Sequence, residues 1–145
     1  MGGDVALAQV VDNPGVVRPN SNEFGNTYGE WSARWFQWLL SIPADKNPAF
    51  DDTGKNCKEG QTGQVWFLAG TFGGKAERTC TIPRGQDLFF PVVNSVFGEG
   101  VGDCTGPDDC NPTALRKLAA AQQDDPVLLK IRIDNVPVHN LINIA

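Results

Sequence analysis

Glu99, Asp103, Asp108 and Asp109 bring four hard oxygen donors into eleven residues, and Ca²⁺ takes six to eight such ligands from a flexible loop. They are the candidate calcium ligands. Their spacing is not that of an EF-hand, and a solvated loop clipped by a Cys104–Cys110 bridge accounts for the same residues without metal. Paired carboxylates for glycoside hydrolysis can be drawn from Glu30, Glu59, Asp87 and Glu99, although the separation that sets the mechanism is not a property of sequence. His139 is the single histidine, so any histidine general base must be this one, with Ser21, Ser32, Ser41 or Ser95 as its hydroxyl partner. None of those serines lies in G-x-S-x-G. A thiol nucleophile is equally unsupported, because all four cysteines can be assigned to bridges.

Those cysteines, Cys57, Cys80, Cys104 and Cys110, include no C-x-x-C pair, which favours two disulfides over zinc. Three connectivities are possible. The pairing Cys57–Cys80 with Cys104–Cys110 is favoured: the first closes a loop of about two dozen residues, worth roughly 3 kcal/mol in the chain-entropy model, and the second pins a short Gly/Asp-rich loop. Disulfides imply a secreted or periplasmic protein. Ala6-Leu7-Ala8 before Gln9 has the small-x-small pattern of a signal-peptidase site, but the preceding residues lack a basic and an apolar region. The start therefore reads as the remnant of an export signal or as an ordinary tail.

A net charge of −5 without a Lys/Arg cluster argues against nucleic acid as a partner. No apolar run reaches the eighteen residues of a membrane span.

The element that must position any site is a helix over about 28–42. Trp31, Trp35, Trp38 and Leu39 recur at helical spacing, Thr27 and Glu30 form a capping box, and Pro43 stops it. Its one polar strip carries Glu30, Arg34, Gln37 and Ser41, with Glu30 and Arg34 spaced as an i, i+4 ion pair. The tryptophans read as core, so a ligand-binding role on this helix falls to Glu30, Arg34 and Gln37. Residues 1–26 read as an extended arm and 27–145 as a single domain.

Gln64–Phe72 is apolar on both alternating faces, as in a doubly covered strand. Glu77–Ile82 is expected to return as its hairpin partner after Gly73-Gly74, with Cys80 and Ile82 inward. Ile82-Pro83-Arg84-Gly85 fits a type I turn leading into a third strand, Asp87–Val93, placed at an edge by Pro91. A second short helix is expected over about 113–123, and Asp134-Asn135 reads as the type I′ turn of a hairpin joining Val127–Ile133 to Val136–Ile144. The final strand ends on apolar residues, which reads as an edge covered by a partner subunit or as a chain that runs on. The fold class is α+β and β-rich: an antiparallel sheet or a partial β-sandwich of jelly-roll type, with the Trp-rich helix as cover.

YGEWSARWFQWLLSIP, VWFLAGTFGG, RTCTIPRGQDLFFPVVN and IDNVPVHNL together resemble a family of secreted prokaryotic proteins of uncharacterised activity, over roughly Tyr28 to Leu141. The resemblance implies export, a β-rich fold and further strands beyond residue 145. It implies no activity and no site residues. The functional expectation is accordingly a secreted non-catalytic binding or structural module, contacting extracellular polysaccharide or associating with itself through the C-terminal strand. The alternative is a small secreted hydrolase using a carboxylate pair or His139.

Overall fold

The computed structural model describes residues 15–18, 20–98, 110–123, 129–139 and 141. Helix α1 runs Tyr28–Ser41. It starts where the sequence places it, because Thr27 and Glu30 satisfy each other's backbone: Glu30 N donates to Thr27 Oγ1 at 3.3 Å and Thr27 N donates to Glu30 Oε2 at 2.7 Å. Its far end is closed by Asn47, a buried side chain whose Nδ2 donates to the carbonyls of Leu39 at 2.7 Å and Ile42 at 3.2 Å. These carbonyls belong to the helix C-terminus and its cap, where acceptors otherwise lack intrahelical donors.

Trp35, Trp38 and Leu39 are buried and form one cluster with Ala49. Burying each of the large side chains stabilises the fold by roughly 1.5–3 kcal/mol. An indole also carries a donor, and three of the four tryptophans spend it on a different loop: Trp31 Nε1 on Glu23 O, Trp38 Nε1 on Glu59 O and Trp35 Nε1 on Leu68 O. α1 is thus both the greasy wall of the core and the post to which the loops are tied.

Against it lies a two-stranded parallel sheet, β1 (Val65–Phe67) with β2 (Asp87–Phe89), in register Val65↔Asp87, Trp66↔Leu88 and Phe67↔Phe89. Trp31 meets Phe67 edge-on at 6.2 Å and Phe89 at 6.5 Å, and Trp38 meets Phe67 at 5.5 Å. The helix does cover the strands, as expected. Adjacent Val65 and Trp66 point to opposite faces and are both buried, which is the doubly covered strand in short form.

The expected hairpin between Gln64–Phe72 and Glu77–Ile82 is not formed. The partner of β1 is β2, parallel to it, and 77–82 carries no strand. The reason is that 77–82 is held elsewhere. Cys80 is bonded to Cys57, Thr79 N donates to Thr53 O at 3.1 Å, and Arg78 donates to carbonyls on two loops. Gly54, at φ +88°, lies so close that a Cβ there would sit 2.4 Å from Thr79 O. The alternation read from the sequence is nonetheless kept, with Arg78, Cys80 and Ile82 half-buried and Thr79 and Thr81 exposed.

Hydrogen bonds Asp87 N to Gln64 O and Leu68 N to Phe89 O fix which way the backbone faces. Asp87 and Phe89 turn their main-chain groups to β1, so those of Leu88 face outward. On the other side, the outward groups of Phe67 are both taken by the Gln61 side chain, with Phe67 N donating to Oε1 at 2.9 Å and Nε2 donating to Phe67 O at 2.8 Å. A side-chain amide stands where a third strand would pair.

α2 spans Pro112–Gln123, its first turn capped by Asn111 Oδ1, which accepts from Thr113 N and Ala114 N. Leu115, Leu118 and Ala119 are half-buried while Arg116 and Lys117 are exposed. β3 (Arg132–Ile133) and β4 (Val136–Pro137) form an antiparallel hairpin around Asp134 and Asn135, both at positive φ as a type I′ turn requires. The helices hold 14 and 12 residues and the longest strand three. The chain is therefore mixed α+β, and the described strands do not assemble into a sandwich.

Candidate functional site

The N-terminal half of α1 builds one wall of a groove of about 390 Å³. Tyr28 donates its hydroxyl to Val17 O and so fastens the segment 15–18 to the helix, and its burial raises the phenol's pKa. Trp31 fastens the short 3₁₀ turn Glu23–Gly25, in which Phe24 sits at φ 56° with a side chain 47% exposed. β2 and the following Phe90 and Val92 form the floor, and Ile131, Ile133 and Val138 of the C-terminal hairpin close the far side. Aliphatic and aromatic groups dominate. The carboxylates of the lining are Glu23 and Asp87, both exposed, and Asp87 Oδ2 accepts from Gln64 Nε2 at 3.2 Å.

A second cavity of about 290 Å³ lies between Trp38, Phe67, the Cys57–Cys80 bridge and Arg78. Arg78 is its organising residue: Nε donates to Asp51 O at 2.6 Å, Nη1 to Ala69 O at 2.7 Å and Gly70 O at 3.1 Å, and Nη2 to Ala49 O at 3.4 Å. One guanidinium therefore joins two loops, and each loop carries an exposed phenylalanine. Phe50 and Phe72 stack at 4.9 Å with 20° between their planes, while remaining 62% and 72% exposed. Beside them Asp51 is buried. Its carboxylate accepts from the Thr53 hydroxyl at 2.6 Å, Asn56 N at 2.9 Å and Thr53 N at 3.0 Å. These bonds, with Lys55 nearby, hold its pKa down to about 2.

The strip Glu30, Arg34 and Gln37 is exposed on α1 and lines neither cavity. Glu30 belongs first to the capping box, whose hydrogen bonds from Thr27 depress its pKa. Arg34 lies over the Trp31 ring at 5.5 Å. Glu99, Asp103, Asp108 and Asp109, the calcium candidates, lie outside the described residues, as do Cys104 and Ala6-Leu7-Ala8. Among the described residues no three His, Cys, Asp or Glu side chains come together as a metal site. Cys57–Cys80 is formed, and Cys110 is also disulfide-bonded. His139 is exposed just after β4 and lines neither cavity. Phe67 and Phe89 are half-buried under Trp31. Among the described residues no helix is long and apolar enough to cross a membrane.

Arg78, Gln61 and Asn47 were not legible as site-building residues. Each acts through backbone groups distant in sequence, and a single polar side chain carries no periodic signal. Comparison with family models, with curated proteins and with solved structures found no match.

Proposed function

We propose that the protein is an exported, non-catalytic binding module whose ligand site is the apolar groove between α1, β2 and the C-terminal hairpin. The observation that carries this reading is the groove itself. Its volume of about 390 Å³ falls within the range of roughly 300–1,000 Å³ of ligand sites, and its apolar walls with few polar groups match their usual make-up. The rigid post behind it supports the reading, because Trp31 is held by its indole, by Phe67 and Phe89, and by Arg34. The disulfides support export. Hydrolysis is less well supported: a general-acid carboxyl is kept protonated by an apolar setting, whereas Glu23 and Asp87 are exposed.

The test is titration with a neutral apolar fluorescent dye, read by energy transfer from tryptophan. Saturable binding at one site is expected, lost on Ile133→Asp, a change at a position 40% exposed. Dye binding equal in I133D and the parent would overturn the groove as the site.

A second reading, contact with extracellular polysaccharide, is favoured by the exposed Phe50–Phe72 pair, since aromatic faces stack on the apolar faces of sugars. Retardation in native gels containing soluble glucans or xylan, abolished by Phe72→Ala, is its expected signature. Mobility unchanged across such gels would remove it.

A further inference from the structure

We infer that the groove takes an extended basic–apolar peptide segment by strand addition to β2, a proposal that rests on the groove being the binding site. On the outer edge of β1 the main-chain groups of Phe67 are already taken by Gln61, whereas the two-stranded sheet leaves β2 without a neighbour on its far side among the described residues. The hydrogen bonds of Asp87 and Phe89 to β1 turn the N–H and C=O of Leu88 into that space. Leu88 is 50% exposed and lies on the groove floor. An open edge beside an apolar groove is the arrangement used by strand-adding recognition, in which main-chain bonds give affinity and alternate side chains enter the pocket.

Charge selects the occupant. The charged side chains lining the groove are Glu23 and Asp87, both acidic, with no lysine or arginine among the lining residues, and the whole chain carries −5. A strand with valine-like residues on one face and lysine or arginine at its ends complements this groove. A second copy of the chain would bring like charge to it. Complementary potential at a rim acts mainly on the encounter rate and on partner choice, so the binding should weaken as salt rises.

The experiment uses the whole chain and an eight-residue amidated peptide alternating valine with lysine, read by fluorescence anisotropy of a labelled copy. Binding at least about tenfold tighter than that of the glutamate counterpart is expected at low salt, with the gap narrowing at high salt. Leu88→Pro removes the outward N–H, at the cost of the leucine side chain, and is tolerated on an edge strand. It should abolish peptide binding, and because Leu88 also lines the groove, the control that leaves the protein and its neutral-dye signal untouched is made on the peptide. Methylating alternate backbone nitrogens of the peptide should likewise abolish its binding, with dye binding to the unaltered protein retained. Equal binding of the N-methylated peptide, equal binding of the glutamate peptide, or full binding to L88P would each overturn the proposal. Dye binding without peptide binding defeats strand addition and leaves the binding module standing, whereas failure of both defeats both. Self-association blocked by L88P, with no peptide binding, would assign the edge to a second copy and also overturn it.

Discussion

Replacing Arg78 by methionine keeps most of the aliphatic stem and deletes every hydrogen bond between the guanidinium and the two loops around it. Two of those bonds, to Asp51 O at 2.6 Å and Ala69 O at 2.7 Å, are short and charge-assisted; the contacts at 3.1 and 3.4 Å are weaker. A hydrogen bond to a charged group contributes about 1.5–3 kcal/mol, so the two short ones together bound the loss at roughly 3–6 kcal/mol. Arg78 is half-buried, and water can reach part of the vacated space, which brings the expectation to about 2–3 kcal/mol. For a chain of this length that is on the order of 6–12 °C in Tm. Urea unfolding under non-oxidising, non-reducing conditions is the assay, with the slope m unchanged and the midpoint lowered. Near-UV circular dichroism should lose a Phe50–Phe72 contribution before global unfolding, because the clamp, and not their own burial, sets those rings together. Arg78→Lys, with charge but no fork, should recover less than half of the loss. A destabilisation of R78M below about 0.5 kcal/mol, typical of an unremarkable surface change, would refute the reasoning.

Three further outcomes are expected. Asp51 has its folded pKa lowered to about 2 from an unfolded value near 3.9. Its contribution is therefore complete above the unfolded value and is lost as pH falls toward about 2; Asp51→Asn should lower stability at pH 7 and flatten the acid limb of a Tm-against-pH curve, and an unaltered limb would count against it. Replacing Cys57 and Cys80 by alanine opens a link of sequence separation 23, for an expected loss of about 3 kcal/mol in denaturant unfolding, and parent-like stability would show that the unfolded chain gains little freedom. Gly54→Ala places a methyl against Thr79 O at positive φ, and a cost on the order of 2 kcal/mol or more is expected; a neutral result would mean that the 53–54 and 79 backbones can separate freely.

Local features were legible in the sequence and partner choice was not. The Thr27 and Glu30 cap, the indole spacing of α1 and the Asp134-Asn135 turn each depend on residues within a few positions, where side-chain type and backbone geometry are directly coupled. Glu77–Ile82 shows the limit. Its alternation names the side that faces inward but not the surface it faces, and the Cys57 bond with Arg78 sends it to the loop around Thr53 instead of to β1. Parallel pairing of Val65–Phe67 with Asp87–Phe89 across the intervening 68–86 leaves no turn signature, since no tight turn makes it. The candidate groove draws on four separated segments for the same reason. The tryptophan stripe of α1 packs as core at Trp35 and Trp38, while Trp31, half-buried at the end of the same stripe, is the one that reaches the groove.

The amide of Gln61 has a consequence for how this sheet can grow. A ribbon with two bare edges can recruit one chain on each side, and every recruit offers a fresh edge, which is the geometry of a fibril. Here Phe67 is already paired, so an added strand extends the ribbon in one direction only. A strand joining at β2 therefore meets a ribbon whose opposite edge is closed at Phe67. One glutamine acts as a chain terminator, and its removal by Gln61→Ala should be seen first as a change in what the protein forms at high concentration.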